Sequence, residues 1–436
     1  MGLRSGSAIA ALSWRLWRLT RAWDRKVGLS VMKAIMAALF RMGTFALTVG
    51  AGTVVGLLAI PIITRVVGAD AWAVQVLVQS LATLFGVVVA FGWGTIGPGL
   101  VASHDRRDRP QLFLDSLITR TYLLLVAAPV MMIVLAVLRP REAVFVSIAS
   151  AAYLMPFVGA SWYFVGEGKP MRLFLFDALP QLLGTVAGVG VLVMTGDFTL
   201  LVITQLVFNI CAVVISSRVI LRDGSGQLAP NFSLRNSLRQ MAQQRHGVIT
   251  AATGSFYVNL PMVAVNMIIP AQLASYAIAD RLFRFSVTAF SPILQFVQGW
   301  IPEGGAGSTA HRIRRAAQFA PLLGIVGGSV LAAAGPWAAQ LLVPGPTNFG
   351  YNLSIPVGTS FAAVAVSQVI GLACLVPIGK ARELARSTLV GAVLGTPLIL
   401  LGAAYFGVAG VIWGMAISEV AVAAFQVYVL RRYLRT

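Results

Sequence analysis

Charge is what this chain has least of. Only 11% of its 436 residues are charged, with 14 Asp or Glu among them, against about 25% charged in soluble proteins. Cysteine is nearly missing too. Cys211 and Cys374 both sit inside long apolar runs, which excludes a disulfide framework and a thiolate metal site. The three histidines, His104, His246 and His311, fall in basic loops, so no metal-ligand spacing arises. There is no GxxxxGK[ST] loop, and ATP use by this chain is not expected. What fills the space is apolar: 58% hydrophobic residues and a mean hydropathy of +0.84. A water-soluble core could not hide that much apolar surface, so the composition predicts a bilayer protein.

A helix needs about 20 apolar residues to cross the hydrocarbon layer. Twelve such runs lie near 42–64, 71–99, 112–138, 143–165, 172–194, 198–218, 247–269, 273–299, 317–340, 353–378, 386–405 and 408–430. An even number puts both termini on one side, and the basic residues say which. With the N-terminus inside, 27 of the 33 Lys and Arg fall in cytoplasmic segments and three, Arg65, Arg139 and Arg141, in outer loops. That bias is the positive-inside rule, and it accounts for the net charge of +19 without nucleic acid as a partner. The expected fold is an all-α polytopic membrane protein of twelve transmembrane helices, both termini cytoplasmic.

The same reading divides the chain. Residues 1–41 are a basic cytoplasmic segment. Leu12, Leu16, Leu19 and Trp23 make it amphipathic enough to lie on an anionic leaflet, while a loosely ordered extension accommodates the same residues. Then come a six-helix lobe at 42–218, a cytoplasmic loop at 219–246, a second six-helix lobe at 247–430 and a basic tail at 431–436. The halves show internal similarity. GADAWAVQVLVQSL after span 1 matches PAQLASYAIADRLF after span 7, and GKPMRLF after span 4 matches GKARELA after span 10, with Lys169 and Lys380 211 residues apart. Parallel repeats of this kind place a substrate site between the halves of a transporter.

Polar residues at membrane depth are costly unless they face water or a partner, so each is a functional candidate. Span 8 carries Asp280, Arg284, Ser291, Gln295 and Gln298 along one helical face, with Arg281 and Thr288 beside it. Gln75 and Gln79 in span 2, Asp177 and Gln181 in span 5, Asn209 in span 6, and Asn259 and Asn266 in span 7 form shorter stripes. Taken singly, each amide suits an interhelical hydrogen bond; together they point to a wet central cavity. Asp280 and Arg284 are spaced for a helical ion pair. Arg120 lies eight residues into span 3, roughly 12 Å deep at 1.5 Å per residue, where Asp115 or Asp177 could neutralise it. Glu419 stands at the middle of span 12, a heptad before Gln426.

Four segments, in this order and spacing, resemble the Wzx-type oligosaccharide-lipid flippases of the multidrug/oligosaccharidyl-lipid/polysaccharide exporter superfamily. They are AIPIITRVVGADAWAVQVLVQSL (59–81), SWYFVGEGKPMRLFLFDALPQLL (161–183), SYAIADRLFRFSVTAFSPILQFVQGWIP (275–302) and FGVAGVIWGMAISEVAVAAF (406–425). Ala71-Trp72-Ala73 departs from the glycine–aromatic pair usual in that family. The resemblance implies two six-helix lobes around a central cavity, alternating access, and a polyprenyl-pyrophosphate oligosaccharide moved to the outer leaflet of a bacterial inner membrane. A polysaccharide polymerase and co-polymerase would be partners.

Arg120, Arg281 and Arg284 are then the expected pyrophosphate contacts, because guanidinium groups bind phosphate with charge-assisted, often bidentate hydrogen bonds. Gln75, Gln79, Gln181, Asn209, Asn259, Asn266, Ser291, Gln295 and Gln298 are the expected polar lining. Asp177, Asp280 and Glu419 could couple transport to protons or sodium; no other cofactor is implied. The nearest alternative is a multidrug or toxin cation antiporter of the same superfamily, whose cavity should be acidic. An integral-membrane glycosyltransferase or polymerase is the rival of another class. Its chemistry needs acids or histidines in large outer loops, and the longest outer loop, LLVPGPTNFGYN near 341–352, has neither. Catalysis is therefore not expected.

Overall fold

The computed structural model describes residues 50–223, 228–230, 232–233, 252, 254–303, 306–345 and 348–435. The basic segment 1–41, most of the 219–246 loop and the start of the seventh expected span lie outside the described residues. Within them every regular element is helical and no strand occurs. Eight helices are long and apolar enough to cross a membrane. Two of them, Gly50–Ser103 and Arg382–Leu434, run to 54 and 53 residues, more than twice what one crossing needs. Both are interrupted at glycines in the left-handed region, Gly68 at φ 85° and Gly407 at φ 65°. Such backbone strains any residue with a Cβ.

Divided at those glycines, the elements in chain order are α1 (50–67), α2 (69–90), α3 (Trp93–Ser103), α4 (Arg109–Leu138), α5 (Ala143–Leu154), α6 (Ser161–Glu167), α7 (Pro170–Thr195) and α8 (Phe198–Arg222). The second half has α9 (Gly254–Ile268), α10 (Leu273–Glu303), α11 (Ala306–Leu342), α12 (Tyr351–Leu375), α13 (381–406) and α14 (408–435). Local chemistry sets the turns. Gly196 ends α7 in the left-handed conformation, and Asp197 caps α8 by accepting from the Thr199 N–H at 2.7 Å. The GK turns repeat in detail. Gly168 and Gly379 both have positive φ; the Lys169 N–H donates to the Phe164 carbonyl at 3.1 Å and the Lys380 N–H to the Leu375 carbonyl at 3.0 Å.

Helices cross where small residues let backbones meet, as expected without a hydrophobic drive between lipid-bathed surfaces. A Cβ on Gly358 would lie 2.3 Å from the Gly328 carbonyl oxygen, where α12 crosses α11. One on Gly410 would lie 2.4 Å from the Gly402 carbonyl oxygen, where α14 crosses α13. The outward faces are apolar and exposed, with Leu125, Val126, Ile133 and Val137 along α4 and Ile325 and Val330 on α11. These are lipid-facing surfaces of a multi-pass membrane protein. Exposed Trp337, Tyr351, Tyr405 and Phe406 lie toward one end, the position of an interfacial aromatic belt.

The apolar cores differ at the two ends. At the end holding the turns after α1, α4, α7, α9, α11 and α13, one core draws on both halves, with Ile63, Trp72, Leu135 and Leu201 against Val265, Leu282, Leu342 and Val411. At the other, basic end each half has its own core: Phe113, Trp162, Phe164 and Ile220 in the first, Ile301, Ile313, Cys374 and Leu430 in the second. Hydrogen bonds join the halves at the shared-core end too, and Ser255 Oγ of α9 also donates to the Thr83 carbonyl of α2 at 3.4 Å. Thr64 Oγ1 donates to the Leu342 carbonyl at 3.3 Å and Arg139 Nε to Asn266 Oδ1 at 2.7 Å, both joining the halves away from the basic end. The halves are therefore sealed together at one end and separately packed at the basic end.

Candidate functional site

Two cavities lie among the helices of the described residues, one mainly in each half. The first, about 470 Å³, is walled by α1, α2, α5, α7 and α8 and closed by α10 of the other half. Gln75, Gln79, Gln181, Gln205 and Asn209 line it, with Thr185, Tyr153, Trp72 and Arg281. Their mutual hydrogen bonds hold the amides in place: Gln75 Nε2 donates to Tyr153 Oη, which donates on to Gln205 Oε1 at 2.9 Å. Asn209 Nδ2 donates to the Ala152 carbonyl at 2.8 Å. The lining contains no carboxylate. A dense set of amides and hydroxyls beside aromatic faces is the chemistry that recognises sugars and other polyols.

Arg281 is the sole charge in that lining. It projects from α10 and donates to Gln79 Oε1 on α2. In the internal repeat, Gln79 and Arg281 hold the same place, the twelfth residue of each aligned segment. The contact joins α2 of the first half to α10 of the second. Arg281 makes no ion pair among the described residues, and its Nε is buried without a hydrogen-bond partner. A guanidinium left with a spare donor in a polar chamber suits an anionic ligand.

The second cavity, about 740 Å³, lies among α9, α10, α12, α13 and α14. Asp280, Arg284 and Glu419 face it with Tyr257, Ser367, Gln368, Thr388 and Gln426. Asp280 and Arg284 form the ion pair their spacing suggests. Arg284 Nε donates to both carboxylate oxygens, at 2.9 and 2.8 Å, and its NH2 group reaches Asn259 Oδ1 at 3.2 Å. Glu419 lies within hydrogen-bond reach of the Tyr257 hydroxyl, which also bonds Ser418. This half of the interior is the more acidic.

The other expected site residues are placed elsewhere. Arg120 borders neither cavity. It is 1% exposed. Its guanidinium donates to the Ser116 carbonyl and hydroxyl at 3.3 and 3.1 Å, and to the Phe157 and Gly159 carbonyls at 3.3 and 2.7 Å. Asp177 lies on the same elbow, 6% exposed, accepting from the Ala160 N–H with Arg120 nearby. Asn266 and Asn259 are buried and bonded to Arg139 and Arg284. Ser291, Gln295 and Gln298 lie farther along α10 and line neither cavity; Gln295 is exposed and Ser291 donates back to the Thr288 carbonyl at 2.8 Å. The stripe on α10 is thus split: its first turns face the cavities and its last turns do not. Trp72, Tyr153 and Tyr257 line cavities without having stood out in the sequence, because an aromatic within an apolar run reads equally as core.

No protein-family model matches the chain, and no curated protein sequence matches it. Among solved structures it is similar to the lipid II flippase MurJ in an inward closed conformation, with a TM-score of 0.65, 12% identity, and 89% of this chain and 87% of that one covered. An inward-facing multidrug resistance MATE family transporter of the MOP superfamily gives 0.60 at 16% identity, covering 88% and 98%. The MATE transporter VcmN of Vibrio cholerae gives 0.55 at 13%, covering 92% and 97%. The chain therefore has the all-helical, multi-pass fold that MATE transporters share with MurJ.

Proposed function

We propose that this protein is a transporter that flips a polyprenyl-pyrophosphate-linked oligosaccharide from the inner to the outer leaflet for a surface polysaccharide. The observation that carries the reading is the cavity of the first half: amides, hydroxyls and aromatic faces around one unneutralised guanidinium. A sugar chain on a phosphate needs both parts. Arg281 takes the phosphate side, and Gln75, Gln79, Gln181, Gln205 and Asn209 take sugar hydroxyls. Arg284, already satisfied by Asp280, serves secondarily. Arg120 is spent on backbone carbonyls and leaves the phosphate set. The lipid tail stays in the bilayer between the halves.

In this reading the chain crosses twelve times as two lobes, with the basic end and both termini in the cytoplasm of a bacterial cell. The structure is then open inward and sealed outward, ready to load, and alternating access carries the sugar across. A MurJ likeness adds support, since that protein is a lipid flippase. Asp280 and Glu419 border a cavity and could couple transport to protons or sodium, whereas Asp177 is enclosed. Catalysis has no part in this cycle, and a polymerase with its co-polymerase would take the product.

Deleting the gene should accumulate full-length polyprenyl-pyrophosphate oligosaccharide, seen by mass spectrometry, with loss of surface polymer. Arg281→Gln should fail to restore the polymer and Arg281→Lys should restore part of it. Unchanged lipid-linked sugars and unchanged surface polymer in the deletion strain would sink the proposal. One observation favours the organic-cation antiporter as second reading: the larger cavity carries Glu419 with no basic partner among the described ion pairs. That reading expects the deletion strain to become sensitive to lipophilic cations, and Glu419→Gln to reproduce the sensitivity.

A further inference from the structure

Away from both interior cavities, a third cavity of about 470 Å³ opens at the end opposite the basic one. It is formed by the start of α2, the turn between α4 and α5, and the start of α8. Four charged side chains line it: Asp70, Arg139, Arg141 and Glu142. None of the four makes an ion pair among the described residues. Arg139 spends its Nε on Asn266, and its two terminal nitrogens make no hydrogen bond among the described residues. This end of the molecule is otherwise poor in basic residues, since Arg65 is the one further basic side chain in the expected outer loops.

Four charges, two of each sign, beside one another and yet unpaired call for a ligand that carries both signs. Two guanidinium groups match a phosphate, with donors in fixed planar forks. Two carboxylates match a primary ammonium, which has three donors to give. The remaining walls say where such a ligand comes from. Val74, Val144, Phe145 and Phe198 are apolar, and Val144, 70% exposed, looks out on the lipid-facing side. The cavity lies at a helix–helix turn, the depth of lipid headgroups. We propose that it is a binding site for the headgroup of an ethanolamine phospholipid of the outer leaflet, phosphate on Arg139 and Arg141, ammonium toward Asp70 and Glu142, acyl chains along Val144.

The chemistry discriminates among lipids. A choline headgroup has the same charges but no N–H to give the carboxylates. A glycerol headgroup brings the phosphate and two hydroxyl donors but no cation, so the charge of both carboxylates stays uncompensated near a low-dielectric surface. Occupancy also bears on the closed end, because Arg139 is the residue that reaches Asn266 across the halves.

The test is native mass spectrometry of the full chain released from micelles holding equal amounts of phosphatidylethanolamine, phosphatidylcholine and phosphatidylglycerol with identical acyl chains. Retention of the ethanolamine lipid should exceed the other two by about tenfold, the worth of one charge-assisted hydrogen bond. Asp70→Asn with Glu142→Gln should abolish that preference and leave the glycerol lipid bound. Arg141→Gln should weaken retention of all three. Asp70 and Arg141 are exposed, and unchanged thermal melting would certify that the variants fold. Equal retention of the three lipids by the native chain overturns the proposal, as does a preference that survives the double carboxylate change. Displacement by soluble glycerophosphoethanolamine at the same concentration would overturn the lipid as occupant, because the acyl chains would then contribute nothing.

Discussion

Arg120 shows what a buried charge does when it is not meant for a ligand. The chain between α5 and α6 leaves the helix through a 3-10 turn at Met155–Val158, with Pro156 lacking an N–H and Gly159 extended. The carbonyls of Phe157 and Gly159 lose their helical donors at membrane depth, where no water replaces them. Arg120 supplies both, and Asp177 receives the Ala160 N–H on the other side of the break. Trp162 covers the guanidinium at 5.5 Å from its ring centroid. Removing Arg120 leaves the Phe157 and Gly159 carbonyls without a donor and takes the nearby cation from Asp177, so Arg120→Ala should destabilise by about 3–5 kcal/mol. A single ammonium cannot span the fork, so Arg120→Lys should recover part of that. Thermal melting of the purified protein in detergent measures both, and Arg120→Ala melting like the native chain would refute the brace. The sequence shows Arg120 at depth and shows both candidate acids; it does not show the broken backbone, which depends on α4, α5 and α7 meeting. The amides were legible for the opposite reason, since a Gln inside an apolar run has few uses. Tyr153 and Trp72 were not, because their rings suit a core as well as a cavity wall.

At the scale of elements, the apolar runs located the helices because membrane thickness sets their length and leaves little freedom. Glycine then decides how they meet. Gly358 of α12 faces Gly328 of α11 so closely that a Cβ on it would stand 2.3 Å from a carbonyl oxygen and 2.9 Å from the Ala332 Cβ. Neither neighbour is the end of a flexible side chain, so the helices themselves must move apart. Gly358→Ala should cost about 1–3 kcal/mol by overpacking. Gly50→Ala, with no atom within 4 Å of its new methyl group, is the control on the same chemistry. Equal melting temperatures for the two variants would show that the crossing tolerates separation. The glycines of LLGIVGGSV stand plainly in the sequence, but their partner 30 residues on does not. The GK turns are the converse case. Their backbone hydrogen bonds recur at the 211-residue offset already visible between Lys169 and Lys380, because a Gly–Lys turn is a local structure and its sequence carries all of it.

For the whole molecule, the decisive contrast is one shared core against two separate ones. A shared apolar core at the end away from the basic loops favours closure there, and two polar contacts add to it: Thr64 with Leu342 and Arg139 with Asn266. A transporter that alternates must break these and separate the shared core while bringing the other two together, so closed and open forms can differ by only a few kcal/mol. The Arg139–Asn266 bond is the charge-assisted one of the pair and carries the larger share. Asn266→Ala removes its acceptor, leaves Arg139 in place, and subtracts about 1.5–3 kcal/mol from the sealed form. That shifts the equilibrium toward opening at this end by about ten- to a hundredfold. Spin labels at exposed Arg65 and Tyr351 report this end, and labels at exposed Arg106 and Lys380 report the basic end. If the halves rock as rigid bodies about the contact of Gln79 with Arg281, the first distance should lengthen and the second shorten together in Asn266→Ala. A first distance that lengthens while the second stays fixed would mean local loosening without rocking. Two unchanged distances would mean that the shared apolar core and the Thr64 contact hold the end shut without Asn266, and the Arg139–Asn266 bond would lose its role as a latch.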